Sequence, residues 1–286
     1  MNDDQLFDAP GPRARRRIRI ATAASVLLLA GLLSLALRQF AAHGQLAAAQ
    51  WQMFSQWPIL RFLLDGVGQT LLVTAVAAAL ALPLGALVAL VRLSRNRWAR
   101  AVARGYVELF RAVPLLLLLY VFLFGLPRAG LTFPVFWQLV VPIVLGNAAA
   151  LSEIFRAGVL ALDRGQSEAA YSLGMTYWQA MAWVVVPQAV RRLVPSLVSQ
   201  LVRLLKDSTL GYVVSFLELL HKAQVLGEYY HSVLPTYLVA AACFVLINTA
   251  LSALAGWLER RSGRPVRAPE RAADARTGGP QLTRHR

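Results

Sequence analysis

Residues 66–91 read GVGQTLLVTAVAAALALPLGALVALV, an unbroken stretch with no ionisable side chain. At 1.5 Å per residue such a helix runs for roughly 39 Å, more than the ~30 Å hydrocarbon core of a bilayer. A helix that is apolar on every side must lie inside a large protein core or in lipid. The rest of the chain decides for lipid. Its residues are 57% hydrophobic and only 15% charged, with a mean hydropathy of +0.53. Soluble domains sit near 45–50% and about 25%. The net charge is +15 and comes almost wholly from arginine. In a soluble chain that excess would suggest nucleic acid. Here the arginines fall in short clusters between uncharged runs, as in cytoplasmic loops of membrane proteins, and no nucleic-acid partner is expected. The lone Cys243 lies inside an apolar run, cannot form an internal disulfide and reads as a small buried hydrophobe.

Working outward from 66–91, five further apolar segments appear: Ile20 to Leu37, Tyr106 to Leu126 (ended by Pro127), Ala129 to Ser152, Leu193 to Phe216 and Ser232 to Leu258. The fold class is therefore all-α integral membrane, with about six transmembrane helices. The first segment follows Arg13, Arg15, Arg16, Arg17 and Arg19 and exceeds the 7–15 residues of a signal-peptide core, so it reads as a retained helix. The predicted organisation is a cytoplasmic tail over 1–17, a first transmembrane helix over 18–38, an extracytoplasmic linker over 39–63, a transmembrane domain over 64–258 and a disordered basic tail over 259–286. Arginine counting places both termini inside. The clusters at 92–104 and 157–192 and the tail then face the cytoplasm, and only Arg38, Arg61, Arg128 and Lys222 are left outside. The tail can also rest on anionic lipid.

The loop 157–192, AGVLALDRGQSEAAYSLGMTYWQAMAWVVVPQAVRR, is long for a bundle connection. Residues 166–173 are good helix formers. Gly174 sits where a left-handed residue stops a helix, and Thr176 can cap a second one over Tyr177 to Val185. Pro187 is expected to end or kink it. The pattern predicts two short helices around a sharp turn, with Ala169, Ala170, Leu173 and Met175 forming one small apolar face flanked by Arg164 and Glu168. Spacing alone serves equally for a helix seated in a partner's groove and for an amphipathic hairpin lying on the membrane.

Residues Glu168-Ala169-Ala170, then Gly174, then Val184-x-Val186-Pro187 resemble the EAA signature of permeases in ATP-binding-cassette importers, whose pattern ends in Ile-x-Leu-Pro. Gly68-Gln69-Thr70-Leu71, Phe110-Arg111-Ala112-Val113-Pro114-Leu115-Leu116, Glu153-Ile154-Phe155-Arg156-Ala157-Gly158, Gly165-Gln166 and Leu205-Lys206-Asp207-Ser208 are similar to the polar amino acid uptake branch. The similarity covers about 64–258. It implies a five-helix type I permease core with a cytoplasmic coupling helix, in a bacterial cytoplasmic (inner) membrane. Further implied are a second permease subunit (the same or a paralogue), a dimer of cytoplasmic ATP-binding subunits and an extracytoplasmic amino-acid-binding protein. Glu168, Ala169, Ala170, Gly174 and Pro187 are the implied ATPase-coupling residues. The cargo it implies is a polar amino acid such as glutamate, aspartate or glutamine.

No phosphate-binding Gly-x-x-x-x-Gly-Lys loop occurs, and Lys206 and Lys222 are the only lysines. ATP and magnesium are thus expected on a partner chain, with no cofactor, metal or catalytic residue in this one. The charged residues Arg111, Glu153, Arg156, Arg203, Lys206 and Asp207 lie in or beside spans, where ionisable groups are costly. They form either structural ion pairs, with Glu153–Arg156 and Arg203–Asp207 at helical spacing, or a polar path for a zwitterion. The rival on composition is an ion-gradient-driven secondary transporter, which needs no coupling loop. An intramembrane enzyme lacks its ligands: the four histidines lie in loops or tail, and no His-Glu-x-x-His occurs.

Overall fold

The computed structural model describes residues 11–261, and these carry helices without a strand among them. In chain order they are α1 (Pro12–Ala42), α2 (Ala48–Gln52), α3 (Trp57–Leu93), α4 (Arg97–Ala112), α5 (Leu115–Tyr120), α6 (Leu126–Arg128), α7 (Val135–Leu160), α8 (Arg164–Ser172), α9 (Tyr177–Ala180), α10 (Val186–Asp207), α11 (Leu219–Tyr229) and α12 (Val233–Arg261). Among the described residues four helices are long and apolar enough to cross a membrane, or five if the bent pair Arg97–Ala112 with Leu115–Arg128 is one span. All of α1 is exposed along its apolar length, as suits a helix surrounded by lipid.

Several predicted boundaries move. The helix α1 begins at Pro12 rather than 18, because proline is favoured in a first helical turn and the arginines after it are good helix formers. The predicted linker shrinks, since α3 starts at Trp57 and runs for 37 residues, roughly 55 Å, well beyond the hydrocarbon core. The third predicted span is broken by 97°. Pro114 supplies no N–H and forces the preceding residue away from helical angles, and Val113 indeed sits at φ −81°, ψ 122°. The fifth predicted span is an amphipathic helix, α10, followed by a 3-10 stretch Ser208–Val214, and its arginines keep it out of the purely apolar class. The predicted tail falls largely on 262–286, outside the described residues, and α12 itself continues to Arg261.

Two compact units share these helices. One takes the chain through Ala75, Leu119–Val140 and Ser208–Val245. Its core packs Met53, Ile59 and Leu63 against Leu219, Ala223, Leu226 and Ala240. The N-terminal half of α3 clasps α11: Thr70 Oγ1 accepts the Leu219 N–H at 3.1 Å, and the buried Lys222 is paired with Asp65 and lies 4.5 Å from the centre of the Phe62 ring.

The other unit takes Val76–Leu118, Val141–Asp207 and the chain from Leu246. Here α3 and α7 touch backbone to backbone at Gly85, where an added Cβ would lie 2.6 Å from Leu151 Cβ and 3.0 Å from the Ala148 carbonyl oxygen. Small residues permit such approach where no hydrophobic force drives helices together. A second apolar cluster, Leu162, Met181, Val185 and Ala189, seats the 157–192 hairpin.

Candidate functional site

The hairpin is built by local chemistry. Asp163 caps α8, its side chain accepting the Gly165 N–H at 2.8 Å. Gly174 follows α8 at φ +80°, a conformation glycine adopts without a Cβ penalty. Thr176 then opens α9 with a reciprocal capping box to Gln179. Pro187 does not end the second helix. A π-helical turn, Met181–Val185, leads straight into α10, and the proline sits in its first turn, where an N–H is not required. One hydrogen bond ties the hairpin to α3, the Tyr177 hydroxyl donating to the Leu93 carbonyl at 2.8 Å, and two brace it internally: Gln188 donates to Gln166 at 3.0 Å, and Arg192 donates to the Ala161 carbonyl at 3.3 Å. The Arg95 guanidinium stacks over the Tyr177 ring at 5.3 Å.

The single apolar face expected of Ala169, Ala170, Leu173 and Met175 is divided. Ala170 is buried against the protein's own body, whereas Glu168, Ala169, Gly174 and Pro187 are exposed. Leu173 and Trp183 are 79% and 77% exposed, and Tyr171 and Trp178 stand out beside them. On α8 it is Ala170 that docks against the protein's own body, which leaves Ala169 and Tyr171 facing outward.

The charged residues pair across helices. Glu153 on α7 accepts Arg92 Nη2 at 3.0 Å and Arg111 Nη1 at 3.2 Å, on one carboxylate oxygen. The i, i+3 partner Arg156 acts on Glu153 only through its field. The helical-spacing pairing of Arg203 with Asp207 is likewise a field effect, and the direct partner of Asp207 is the Asn147 amide, at 2.9 Å. Asn147 also accepts from Gln200 at 2.6 Å and donates to the Ile143 carbonyl at 2.9 Å, so both of its amide protons and its oxygen are used. Sequence reasoning passed over Asn147 and Gln200, since neutral amides do not stand out by charge. Their signal was a polar side chain at a helix-interior register of an apolar run.

Arg111, Asn147, Arg203 and Asp207 line one cavity of about 380 Å³, with Phe110 and the Val113-Pro114 break in its wall. Lys206 and Arg156 are not among its lining residues. Of the predicted path residues, Arg111, Arg203 and Asp207 line the cavity, Arg111 and Glu153 form an ion pair, and Arg156 and Lys206 fall in neither group.

Comparison with known proteins places this geometry. Residues 81–264 match the family described as binding-protein-dependent transport system inner membrane component. The probable glutamine ABC transporter permease protein GlnP of Bacillus subtilis (strain 168) is 36% identical over 208 residues, covering 71% of this chain and 94% of the relative. The glutamate/aspartate import permease protein GltK of Escherichia coli O6:H1 is 35% identical over 213 residues, covering 72% and 95%. Among solved structures, a chain from the crystal structure of an amino acid ABC transporter with histidines superposes with a TM-score of 0.69 at 32% identity, over 73% of this chain and 97% of that one. A resemblance first carried by an EAA loop is matched by a family model that contains both the loop and the cavity: this chain is a membrane permease that belongs to the inner membrane components of binding-protein-dependent transport systems.

Proposed function

We propose that this chain is one of two permease subunits through which an ATP-driven importer carries a polar amino acid into a bacterial cytoplasm. The observation that carries the reading is the hairpin: its turn is shaped by a capping box and a left-handed glycine, it is tied to α3 through Tyr177, and it turns Leu173, Trp178 and Trp183 outward. A rigid element with an exposed apolar tip suits a groove on a separate ATPase subunit. Glu168, Ala169, Ala170, Gly174 and Pro187 transmit force there, and ATP with its magnesium is handled by that subunit. Both termini lie in the cytoplasm, and a binding protein delivers cargo from the other side.

The cavity is the translocation path. Arg111 and Arg203 can receive carboxylate and Asp207, oriented by Asn147, can receive ammonium. Two cations against one anion leave the wall net positive, which suits an acidic or neutral polar amino acid better than a cationic one. The relatives named for glutamine and for glutamate/aspartate accord with this choice, whereas the arginine transport system permease protein ArtQ of Bacillus subtilis, 33% identical, does not.

The test is reconstitution with the cognate ATPase and binding protein, assaying ATP hydrolysis and uptake across an amino acid panel. Loaded binding protein should stimulate hydrolysis with glutamate, aspartate or glutamine. Gly174→Asp should abolish the stimulation while the protein still inserts. Nothing lies within 4 Å of a side chain there, and aspartate tolerates positive φ, so the added charge acts on the docking face. Failure of any ATPase to associate overturns the proposal and returns the ion-driven alternative.

A further inference from the structure

Arg111 stands between two sites. It lines the cavity, and it donates to Glu153 Oε1 at 3.2 Å. The same oxygen accepts Arg92 at 3.0 Å. The two guanidiniums differ in setting. The Arg92 side chain is 9% exposed and also donates to the Ser152 hydroxyl at 3.4 Å, whereas the Arg111 side chain is 56% exposed. One carboxylate neutralises one guanidinium, and the buried Arg92 has the greater need of it, because an unpaired buried charge is strongly penalised. Arg111 is therefore the cation that can be drawn away. It also sits two residues before Val113, where the chain leaves helical geometry and turns by 97°.

The other end of this cluster is tied to the hairpin. Arg92 precedes Leu93, whose carbonyl accepts the Tyr177 hydroxyl at 2.8 Å. Tyr177 opens α9, and its ring lies under Arg95 at 5.3 Å. Two covalently adjacent residues at the end of α3 thus join the Glu153 ion pairs to the anchor of the hairpin.

We propose that Arg111, Glu153, Arg92 and Tyr177 form the link by which occupancy of the cavity is reported to the coupling hairpin. It rests on the reading of the cavity as the translocation path. A substrate carboxylate competes with Glu153 for Arg111. When Arg111 turns to the substrate, Glu153 is left to Arg92 alone, and the change at the end of α3 reaches the hairpin through Leu93 and Tyr177. Arg111 meets the substrate itself, Glu153, Arg92 and Tyr177 are positioning residues, and no bond is made or broken. A coupling of this kind is reciprocal: the state of the hairpin must alter the cavity's affinity by the same factor.

The experiment uses the whole transporter, permease with cognate ATPase and binding protein, in liposomes. The readout is the stimulation ratio: hydrolysis with binding protein loaded from an L-glutamate, L-aspartate and L-glutamine mixture, divided by hydrolysis without it. Arg111→Gln should lower the ratio by about fivefold or more, the lower end of ordinary allosteric couplings, and Arg111→Lys should recover part of it. Tyr177→Phe removes one hydroxyl remote from the cavity and should lower the ratio too. Because both act on one link, the double variant should be no worse than the weaker single. Independent, multiplying effects, or an unchanged ratio in Arg111→Gln and Tyr177→Phe, would overturn the link. An unstimulated wild type would instead sink the importer reading beneath it.

Discussion

Gly85→Ala tests the close approach of α3 to α7 in the cavity-bearing unit. The added Cβ would lie 2.6 Å from Leu151 Cβ and 3.0 Å from the Ala148 carbonyl oxygen. Apolar carbons rest at about 3.5–4.0 Å, so α3 and α7 must part by about 1 Å. Both contacted atoms are fixed to backbone, and no rotamer change relieves them. Overpacking of this sort costs about 1–3 kcal/mol. The displacement is also large enough to stretch the Arg92–Glu153 pair, now 3.0 Å, to the limit of an ion pair. In nanodiscs the variant should melt several degrees below wild type. The diagnostic arm is a double-mutant cycle. Leu151→Ala keeps the offending Cβ and should show little coupling to Gly85→Ala, whereas Leu151→Gly removes it and should couple favourably by about 1 kcal/mol or more. A thermally silent Gly85→Ala, or equal coupling to both Leu151 variants, would refute the close-contact argument.

The remaining predictions concern the turn, the clasp between α3 and α11, and the amide chain. Gly174→Val should unsettle the hairpin by about 1–2 kcal/mol, because a β-branched residue resists φ +80°, while Gly174→Asn should be nearly neutral; the two are compared by proteolysis of the hairpin and by uptake. Asp65→Asn should lower the melting temperature more than Lys222→Met, since it strands a buried ammonium whereas the reverse change leaves a carboxylate with access to water. Asn147→Leu should cost about 1–3 kcal/mol for each polar group it orphans, and its effect should largely absorb that of Gln200→Leu, as read from a thermal-stability cycle.

What was legible in the sequence follows from which forces leave a local mark. Lipid imposes composition on every residue it touches, so the 66–91 segment and the segments near α1, α7 and α12 could be read directly. The hairpin was legible because capping and left-handed turns depend on residues a few positions apart, as at Thr176, Gln179 and Gly174. Helix ends were less so. A charge-free window finds the stretch inside the bilayer, and α3 continues for nine residues before it through Arg61 and Asp65. The break at Val113-Pro114 carried a local signal, the proline, but the apolar residues on either side made one span the simpler reading.

The ion pairs show why partner choice escaped a one-dimensional reading. Helical spacing nominates Arg156 for Glu153, and nothing on α7 alone contradicts it. The deciding quantity lies on another helix. Arg92 is buried where α3 meets α7, a contact made possible by Gly85, and a buried guanidinium without a carboxylate costs far more than an interhelical pair costs in side-chain order. Glu153 therefore serves the cation most starved of water, and Arg156 is left to act through its field. The same reasoning explains the second cation. Once Arg92 has satisfied Glu153, the neighbouring Arg111 adds little to the stability of the cluster, and an arginine that stability does not need can be given to the cavity it lines. On the proposed reading of the cavity, function at this site is carried by the charge that packing leaves over, a division between Arg92 and Arg111 that the motif around Arg111 does not itself make.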